Sequence, residues 1–448
     1  MILVGELALW VALLMAAWGA IVTFAGAGAA RAELVASGER AVFATFACLV
    51  LSTSGLLTAL VRSDFSLAYV ASYTTANLPV GYKMTALWAG RAGAVLLWTL
   101  ILSTCAAVAV ATTPRRNWPI TPYVVGTLSV ILLLFLALLC LRDRPYERIA
   151  PILAEGRGMP PALQNPAAAL HRPNLYIGYV AATIPLAFAI AALLVRRIDD
   201  AWRLTVRRWA TVSWVFLTVG IVIGMWRAYL EPARHGRWAW DPIGSWAFGP
   251  WLGVAIVGYL AANHAGDRRL TGFDRPAAPR GGRVRIGARI ASVAGVIVLA
   301  GFGGTTFSRA RDVSLRSGEA ATLVDPFRRS WTFTSQGVSD FPERNRAVEA
   351  VALRVTRNGR SHGIISSERR QYVDSRGAAT FEPALEAGID HSVLQDRYVL
   401  LRDVVGDRAD LRIAFHPFRV WVWLGAIALA IGGSMVMWPA AHTRDGSA

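Results

Sequence analysis

Apolar runs the length of a bilayer-crossing helix recur along this chain, and they limit what it can fold into more than any other feature. A helix needs about 20 predominantly apolar residues to cross the hydrocarbon core. Runs of that kind fall at roughly 6–28, 42–61, 93–112, 121–141, 175–195, 209–229, 248–263, 290–307 and 420–438. The seventh is the weakest, being short and opening with Gly249 and Pro250. Composition agrees: 54% of the 448 residues are hydrophobic and 17% charged, against about a quarter charged in soluble domains. The reading is an all-α polytopic membrane protein with about nine transmembrane helices. The first run lacks a basic n-region and an A-x-A-like cleavage site, so it is read as a retained span and not a removed signal peptide.

The net charge of +17 comes nearly all from arginine. Those arginines concentrate in connectors between apolar runs, above all "RRIDDAWRLTVRR" (196–208), "GDRRLTGFDRPAAPRGGRVR" (266–285) and "TTPRRNWP" (112–119). Membrane topology explains such placement better than a nucleic-acid partner, which is not expected. All three basic connectors fall on one side of a nine-span chain, which the positive-inside tendency makes cytoplasmic. The N-terminus and four loops, about 62–92, 142–174, 230–247 and 308–419, then face outward from the cytoplasmic (inner) membrane.

The last outward loop differs in character. Segments such as "AVEAVALRVTRNG" and "DRYVLLRDVVGDRADLRIAF" alternate with period two and break at "RNG", "SRG" and "VGD", the pattern of half-buried strands joined by turns. At about 100 residues it is long enough for a small core of its own. Three parts are therefore expected: a transmembrane helical domain over 1–310, a β-rich extracytoplasmic domain over 311–418, and a final helix with a cytoplasmic tail over 419–448.

Cys48, Cys105 and Cys140 all lie in apolar segments with no CxxC pair. That pattern argues against a disulfide framework, a zinc site and a covalent CxxCH haem attachment. Walker, nucleophile-elbow and HExxH motifs are absent, so ATP-driven and hydrolytic chemistry have no support. A small-molecule transporter would want ionisable residues inside the spans, and these are nearly free of them.

Two stretches carry chemistry. "RWAWDPIGSWAFGPW" (237–251) sets four tryptophans and two prolines around Asp241 in an outward loop. Tryptophan suits a membrane boundary, because its ring is apolar and its N–H still finds water. A dense set of indole faces is equally a platform for a flat macrocycle such as haem, and the residues alone leave both readings open. "NPAAALHRPNLYIGY" (165–179) puts His171 where an outward loop re-enters the membrane, on the same side as the tryptophans. Histidine is a usual axial ligand of haem iron.

With these stretches in view, nearly the whole chain resembles the haem-handling membrane proteins of cytochrome c maturation, the CcmF/NrfE haem-lyase type with a tryptophan-rich WWD-like motif. The resemblance runs through "SDFSLAYVASYTTANLPVGYKMTALWAGRAGAVLLW" (63–98), "GRGMPPALQNPAAALHRPNLYIGYVAATIPLAFAIAALL" (156–194) and "VSWVFLTVGIVIGMWRAYLEPARHGRWAWDPIGSWAFGPWL" (212–252). It continues at "DVSLRSGEAATL" (312–323) and "FHPFRVWVWLGAIALAIGG" (415–433). The resemblance implies cytochrome c biogenesis: haem b held non-covalently at the outer membrane face and joined there to apocytochrome c as a haem lyase. It also implies a haem chaperone and other cytochrome c maturation subunits as partners, beside membrane lipid. It assigns axial ligation of iron to His171, and contact with the macrocycle to Trp238, Trp240, Asp241, Pro242 and Trp251.

The chain also departs from the family pattern. Gly244 stands where a glutamate follows "WDP", Arg237 where a further tryptophan is usual, and Tyr259 where a membrane histidine is usual. A second membrane histidine would fall near Ala291 and Ser292. Of four family histidines, His171 is the one retained, so a second axial ligand must come from elsewhere, with His235, His416 and Tyr259 as alternatives. Arg91, Arg227 and Arg237 are placed to pair with a haem propionate or to anchor at the headgroups. His264, His362, His391 and His442 have no motif around them. Two functions stay open: a haem-binding component of the attachment reaction, or a non-catalytic scaffold subunit of a haem-lyase complex that has lost haem ligands.

Overall fold

In the computed structural model the described residues are 1–113, 119–196, 198, 200–230, 248–263 and 282–438. The chain opens with α1 (Ile2–Gly28) and α2 (Ala32–Arg62), an antiparallel pair. Two short helices, α3 (Ala68–Tyr73) and α4 (Val80–Thr85), lead into α5 (Arg91–Thr112) and α6 (Thr121–Leu138). Then come α7 (Pro166–Ala181), its near continuation α8 (Thr183–Val195), α9 (Asp200–Leu230), α10 (Phe248–Asn263) and α11 (Gly282–Gly303). Nine strands follow before α12 (Arg419–Met437).

Eight spans among the described residues are long and apolar enough to cross a membrane, the α7–α8 pair counting as one of 30 residues. The weak seventh run forms only the 16-residue α10. Four expected helix starts move earlier: those read at 42, 175, 209 and 290 fall at Ala32, Pro166, Asp200 and Gly282. Each extension carries charged or polar side chains that interrupt the apolar run and that hydropathy alone assigns to loops.

The polar segment before the last helix is a two-sheet β structure. A four-stranded sheet has the order β1 (Arg309–Arg316), β9 (Arg408–Pro417), β8 (Gln395–Val405), β7 (Gly388–Asp390). A five-stranded sheet has the order β2 (Ala320–Val324), β3 (Ser330–Glu343), β4 (Arg346–Arg357), β5 (Arg360–Tyr372), β6 (Ala384–Glu386). Phe333, Val351, Val355, Val399, Leu401 and Ile413 bury together between the sheets. The "RNG" break forms the β4–β5 hairpin, with Asn358 at φ 51° and Gly359 at φ 74°, as a two-residue loop of the primed type demands. Asp325, with no exposed surface, takes N–H groups from Arg329, Trp331 (2.9 Å) and Gln395 (2.8 Å), clipping the β2–β3 turn to β8 of the other sheet.

Loops 63–90 and 144–165 meet on the sandwich side of the helices. The Ala68 amide donates to the Glu147 carbonyl at 2.8 Å, and Tyr69 Oη donates to the Ala86 and Leu87 carbonyls. The sandwich rests on these loops: Asn345 Nδ2 donates to Gln164 Oε1 at 2.8 Å, Asn77 Nδ2 to the Val373 carbonyl at 3.1 Å, and Ser375 to Glu155.

The closest helix packing near the centre is between α7 and α9. A Cβ on Gly178 would stand 2.6 Å from Leu217, and one on Gly220 would stand 2.6 Å from Leu175. Ser213 Oγ adds a 2.6 Å bond to the Gly178 carbonyl. Only glycine permits that approach. Gly178→Leu is expected to cost about 1–3 kcal/mol by overpacking, read as a midpoint lowered by several degrees in thermal unfolding of the detergent-purified protein.

Candidate functional site

His171 lies inside α7, not at its start. The helix is capped by Asn165, whose side chain accepts from the Ala167 amide at 2.8 Å, with Pro166 at the first helical position. Pro173, two residues after the histidine, removes an amide donor, a local irregularity in the same helix. The His171 ring rests on the bare backbone of α9 at Gly224, where a Cβ would collide with its Cε1. Its Nδ1 lies 2.8 Å from the Gly220 carbonyl oxygen.

That single contact decides the tautomer. A carbonyl only accepts, so Nδ1 must carry the proton, and Nε2 is left with its lone pair. Metal-binding histidines are commonly oriented in this way, with the far N–H given to a carbonyl. The neighbouring Arg172 donates to the Trp88 carbonyl at 2.9 Å, tying α7 to the turn before α5. Trp98 of α5 packs on Tyr176 and Tyr179 with ring centroids 5.4 and 5.8 Å away, so the helix carrying His171 is braced on two sides.

Trp251, of α10, reaches the same helix α9. Its Nε1 donates to Thr218 Oγ1 at 2.8 Å, and its ring stacks on Trp214 at 5.8 Å and 29°. Thr218 and Trp214 lie on the α9 face about 120° round from Gly220 and Gly224, by helical periodicity. His171 and Trp251 therefore pack on different faces of one helix. Trp238, Trp240, Asp241 and Pro242, together with His235, Arg237 and Gly244, lie outside the described residues, as do His264 and His442 and the side chain of Tyr259. Sequence reasoning missed Gly220, Gly224, Trp214 and Thr218; the G-x-x-x-G spacing in "VGIVIGM" was the available signal for the first two.

The other histidines are engaged or enclosed. His416, one of the alternatives for a second axial ligand, is 3% exposed on β9, edge-on between the rings of Tyr229 and Tyr398 at 5.8 and 5.7 Å, in a structural place. Its Nδ1 lies 3.1 Å from Ser308 Oγ. Burial, reinforced by the Arg419 and Arg412 guanidiniums, holds its pKa down to about 3. β9 turns this side chain inward onto α9. His391 Nδ1 lies 3.0 Å from Asp396 Oδ2, the same oxygen that accepts from Tyr229 Oη at 3.1 Å. His362 packs edge-on against Trp331 at 4.9 Å. Arg91, read as a partner for a propionate, forms an ion pair of 2.6 Å with Asp143, whose side chain is 1% exposed. Arg227 sits in the last turn of α9, on the sandwich side.

A bundle of apolar helices that holds one histidine against a carbonyl between two of its members, joined to a β-sandwich, defines a polytopic membrane protein with an extramembrane β domain. Profiles of two families match the chain: "Cytochrome C assembly protein" over residues 88–269 and "CcmF C-terminal beta-sandwich" over residues 306–417. Each profile covers less than half of the chain, and on both stretches the chain is similar to cytochrome c assembly proteins of CcmF and NrfE type. It is similar to the cytochrome c-type biogenesis protein ccl1 of Rhodobacter capsulatus, 37% identical over 256 residues, 56% of this chain and 39% of that one. Similar too are CcmF of Pseudomonas aeruginosa, 36% identical over 259 residues (57% and 39%), and the probable biogenesis protein NrfE of Escherichia coli, 36% identical over 216 residues (48% and 39%). The match thus spans about two fifths of these relatives' length. A solved structure titled "Cytochrome c Heme Lyase CcmF" shares the fold, with a TM-score of 0.74, 19% identity and 98% of each chain covered.

The low pKa of His416 sets a sign for acid stability. The unfolded chain, with an ordinary histidine pKa of about 6.5, takes up a proton that the folded chain refuses. Stability from this group is present above about pH 6.5 and is lost as pH falls towards about 3, by at most about 1.4 kcal/mol per pH unit. Thermal unfolding between pH 4.5 and 7 is expected to show a shallower pH slope in His416→Gln than in the wild type.

Proposed function

We propose that the chain acts in cytochrome c biogenesis, holding haem b on the sandwich side of the membrane while it is attached to apocytochrome c. The observation that carries this reading is the His171 Nδ1 contact with the Gly220 carbonyl, which leaves Nε2 as a fixed, neutral lone pair. A single imidazole with its tautomer set from behind fits one axial position of haem iron. Trp251, held by Thr218 and Trp214, packs on another face of the same helix α9.

When bound, haem supplies vinyl groups to which a thiol S–H adds without net oxidation. The rest falls to the chain: His171 ligates, the α7–α9 contact orients its ring, and the loop beginning after Leu230 lies at the outer end of α9. In this reading Trp238, Trp240, Asp241 and Pro242 face the macrocycle. The helical part (1–310) is the haem-handling domain and the sandwich (311–418) its extracytoplasmic cover, in the cytoplasmic membrane. A haem chaperone and other maturation subunits bring haem and substrate.

A second reading, a scaffold subunit without stable haem, is favoured by the enclosure of His416 and the engagement of His391 with Asp396, which take two histidines away from a second axial position. Optical spectra separate the two. Protein purified alone is expected to show a Soret band that His171→Ala lowers by about tenfold or more and Trp240→Ala lowers in part. Absence of the band in the lone wild type, with recovery only in complex with a haem-binding partner, sinks the first reading and upholds the second.

A further inference from the structure

The last helix has no length to spare. α12 has 19 residues, about 28 Å of helix, which matches the thickness of the hydrocarbon core. Its first residue, Arg419, therefore stands at the bilayer boundary on the sandwich side, and whatever packs around that turn stands at headgroup level. The Phe418 amide donates to the Leu394 carbonyl at 2.9 Å, and Trp421 Nε1 donates to the Val393 carbonyl at 2.9 Å. The Phe418 ring lies 5.8 Å from that of Phe327, in the turn between β2 and β3. Two loops of the sandwich, 391–394 and 325–329, are thus held where α12 meets the headgroups.

Both loops carry exposed apolar side chains. Val393 is 64% exposed, Leu394 45% and Phe327 39%, and Phe307, in the turn from α11 into β1, is exposed as well. Leaving such side chains in water costs free energy, and a cluster of them with a polar rim marks an interaction surface. Nearby, α11 and α12 expose Leu299 and Leu424, the ordinary lipid-facing surface of a span. The apolar margin continues that surface from the helices onto the sandwich.

The rim of this margin is basic. The β2–β3 turn carries Arg328, and Arg357 and Arg360 flank the tip of the β4–β5 hairpin. That tip stands beside the turn, because the Arg357 guanidinium lies 5.3 Å over the ring of Trp331, whose Nε1 donates to Asp325 at 2.9 Å. The carboxylates at hand are already engaged, Asp325 with Arg329 at 2.7 Å and Asp390 with Arg397 at 2.9 Å. Arg328, Arg357 and Arg360 form no ion pair among the described residues. Planar guanidiniums around an apolar cluster at headgroup level match phosphodiesters, and their unbalanced charge favours lipids of net negative charge.

We propose that this margin of the sandwich docks on the membrane itself: Phe327, Val393 and Leu394 enter the headgroup region of the leaflet on the sandwich side, and Arg328, Arg357 and Arg360 bind the phosphates of anionic phospholipids. The inference stands apart from the haem reading. The sandwich is then held at two places, by the loops at Asn77 and Gln164 and by lipid at Phe327, so the charge of the leaflet governs how the domain sits over the helices.

The test uses the full chain in lipid nanodiscs, with Cys48→Ala, Cys105→Ala and Cys140→Ala, and a nitroxide spin label on Val393→Cys. Depth is read as the ratio of collisions with oxygen, which concentrates in lipid, to collisions with a neutral nickel chelate, which stays in water. The ratio is expected to be higher in discs containing phosphatidylglycerol than in discs of phosphatidylcholine alone. Arg328→Gln and Arg360→Gln, both at exposed positions, are each expected to lower it about fivefold in the anionic discs. A label on Val405→Cys, at the other end of β8 from Gln395 and about 33 Å of strand away, is expected to stay in water in both. Unlabelled wild-type protein gives a second measurement, amide hydrogen exchange over 326–329 and 357–361, expected to be slower in the anionic discs. A Val393 label in water in both disc types overturns the proposal, and is what a protein partner or open solvent at this margin would give. Equal depth in both disc types, no effect of the arginine variants, or equal exchange in the two discs overturns it too.

Discussion

The approach of α7 to α9 is the contact on which the site depends. Gly178 on α7 and Gly220 and Gly224 on α9 bring the two backbones close enough for a histidine ring to rest on a helix carbonyl. In hydrocarbon there is no hydrophobic drive between helices, so close van der Waals packing and a few interhelical hydrogen bonds must hold them. The Ser213 bond to the Gly178 carbonyl and the His171 bond to the Gly220 carbonyl supply two such bonds at neighbouring turns. The same close approach thus stabilises the bundle and selects the tautomer that leaves Nε2 free to ligate.

The sandwich is coupled to this pair of helices at the end of α9. Tyr229 is almost fully buried, donates to Asp396 and lies under the Arg419 guanidinium at 5.0 Å. His416 completes a packed joint of aromatic and charged groups between β8, β9, α9 and α12. Tyr229 is the penultimate residue of α9, so the joint ties the end of that helix to the sandwich.

Much of the architecture was legible in the chain. Apolar runs announce helices because the bilayer demands about 20 such residues, and period-two alternation announced the strands because one sheet face packs inward. The expected all-α membrane body with a β-rich domain before the last helix is what the structure and the family matches show. The limits are equally physical. The helix starts at Pro166 and Gly282 escape a hydropathy reading because His171, Arg172 and Pro173 in one case and Arg283 and Arg285 in the other interrupt the apolar run. Sequence leaves alternatives open for His416 and Arg91 because exposure depends on partners distant in sequence, here Tyr229, Tyr398 and Asp143.

The order of elements and the membrane class were settled by sequence, since each rests on local composition. Which nitrogen of His171 faces the Gly220 carbonyl, and that Arg91 is already paired with Asp143, were decided only in three dimensions. Those properties arise when backbone groups and side chains far apart along the chain come within hydrogen-bonding distance. A one-dimensional pattern records the presence of such groups, whereas their orientation and satisfaction belong to the packed fold.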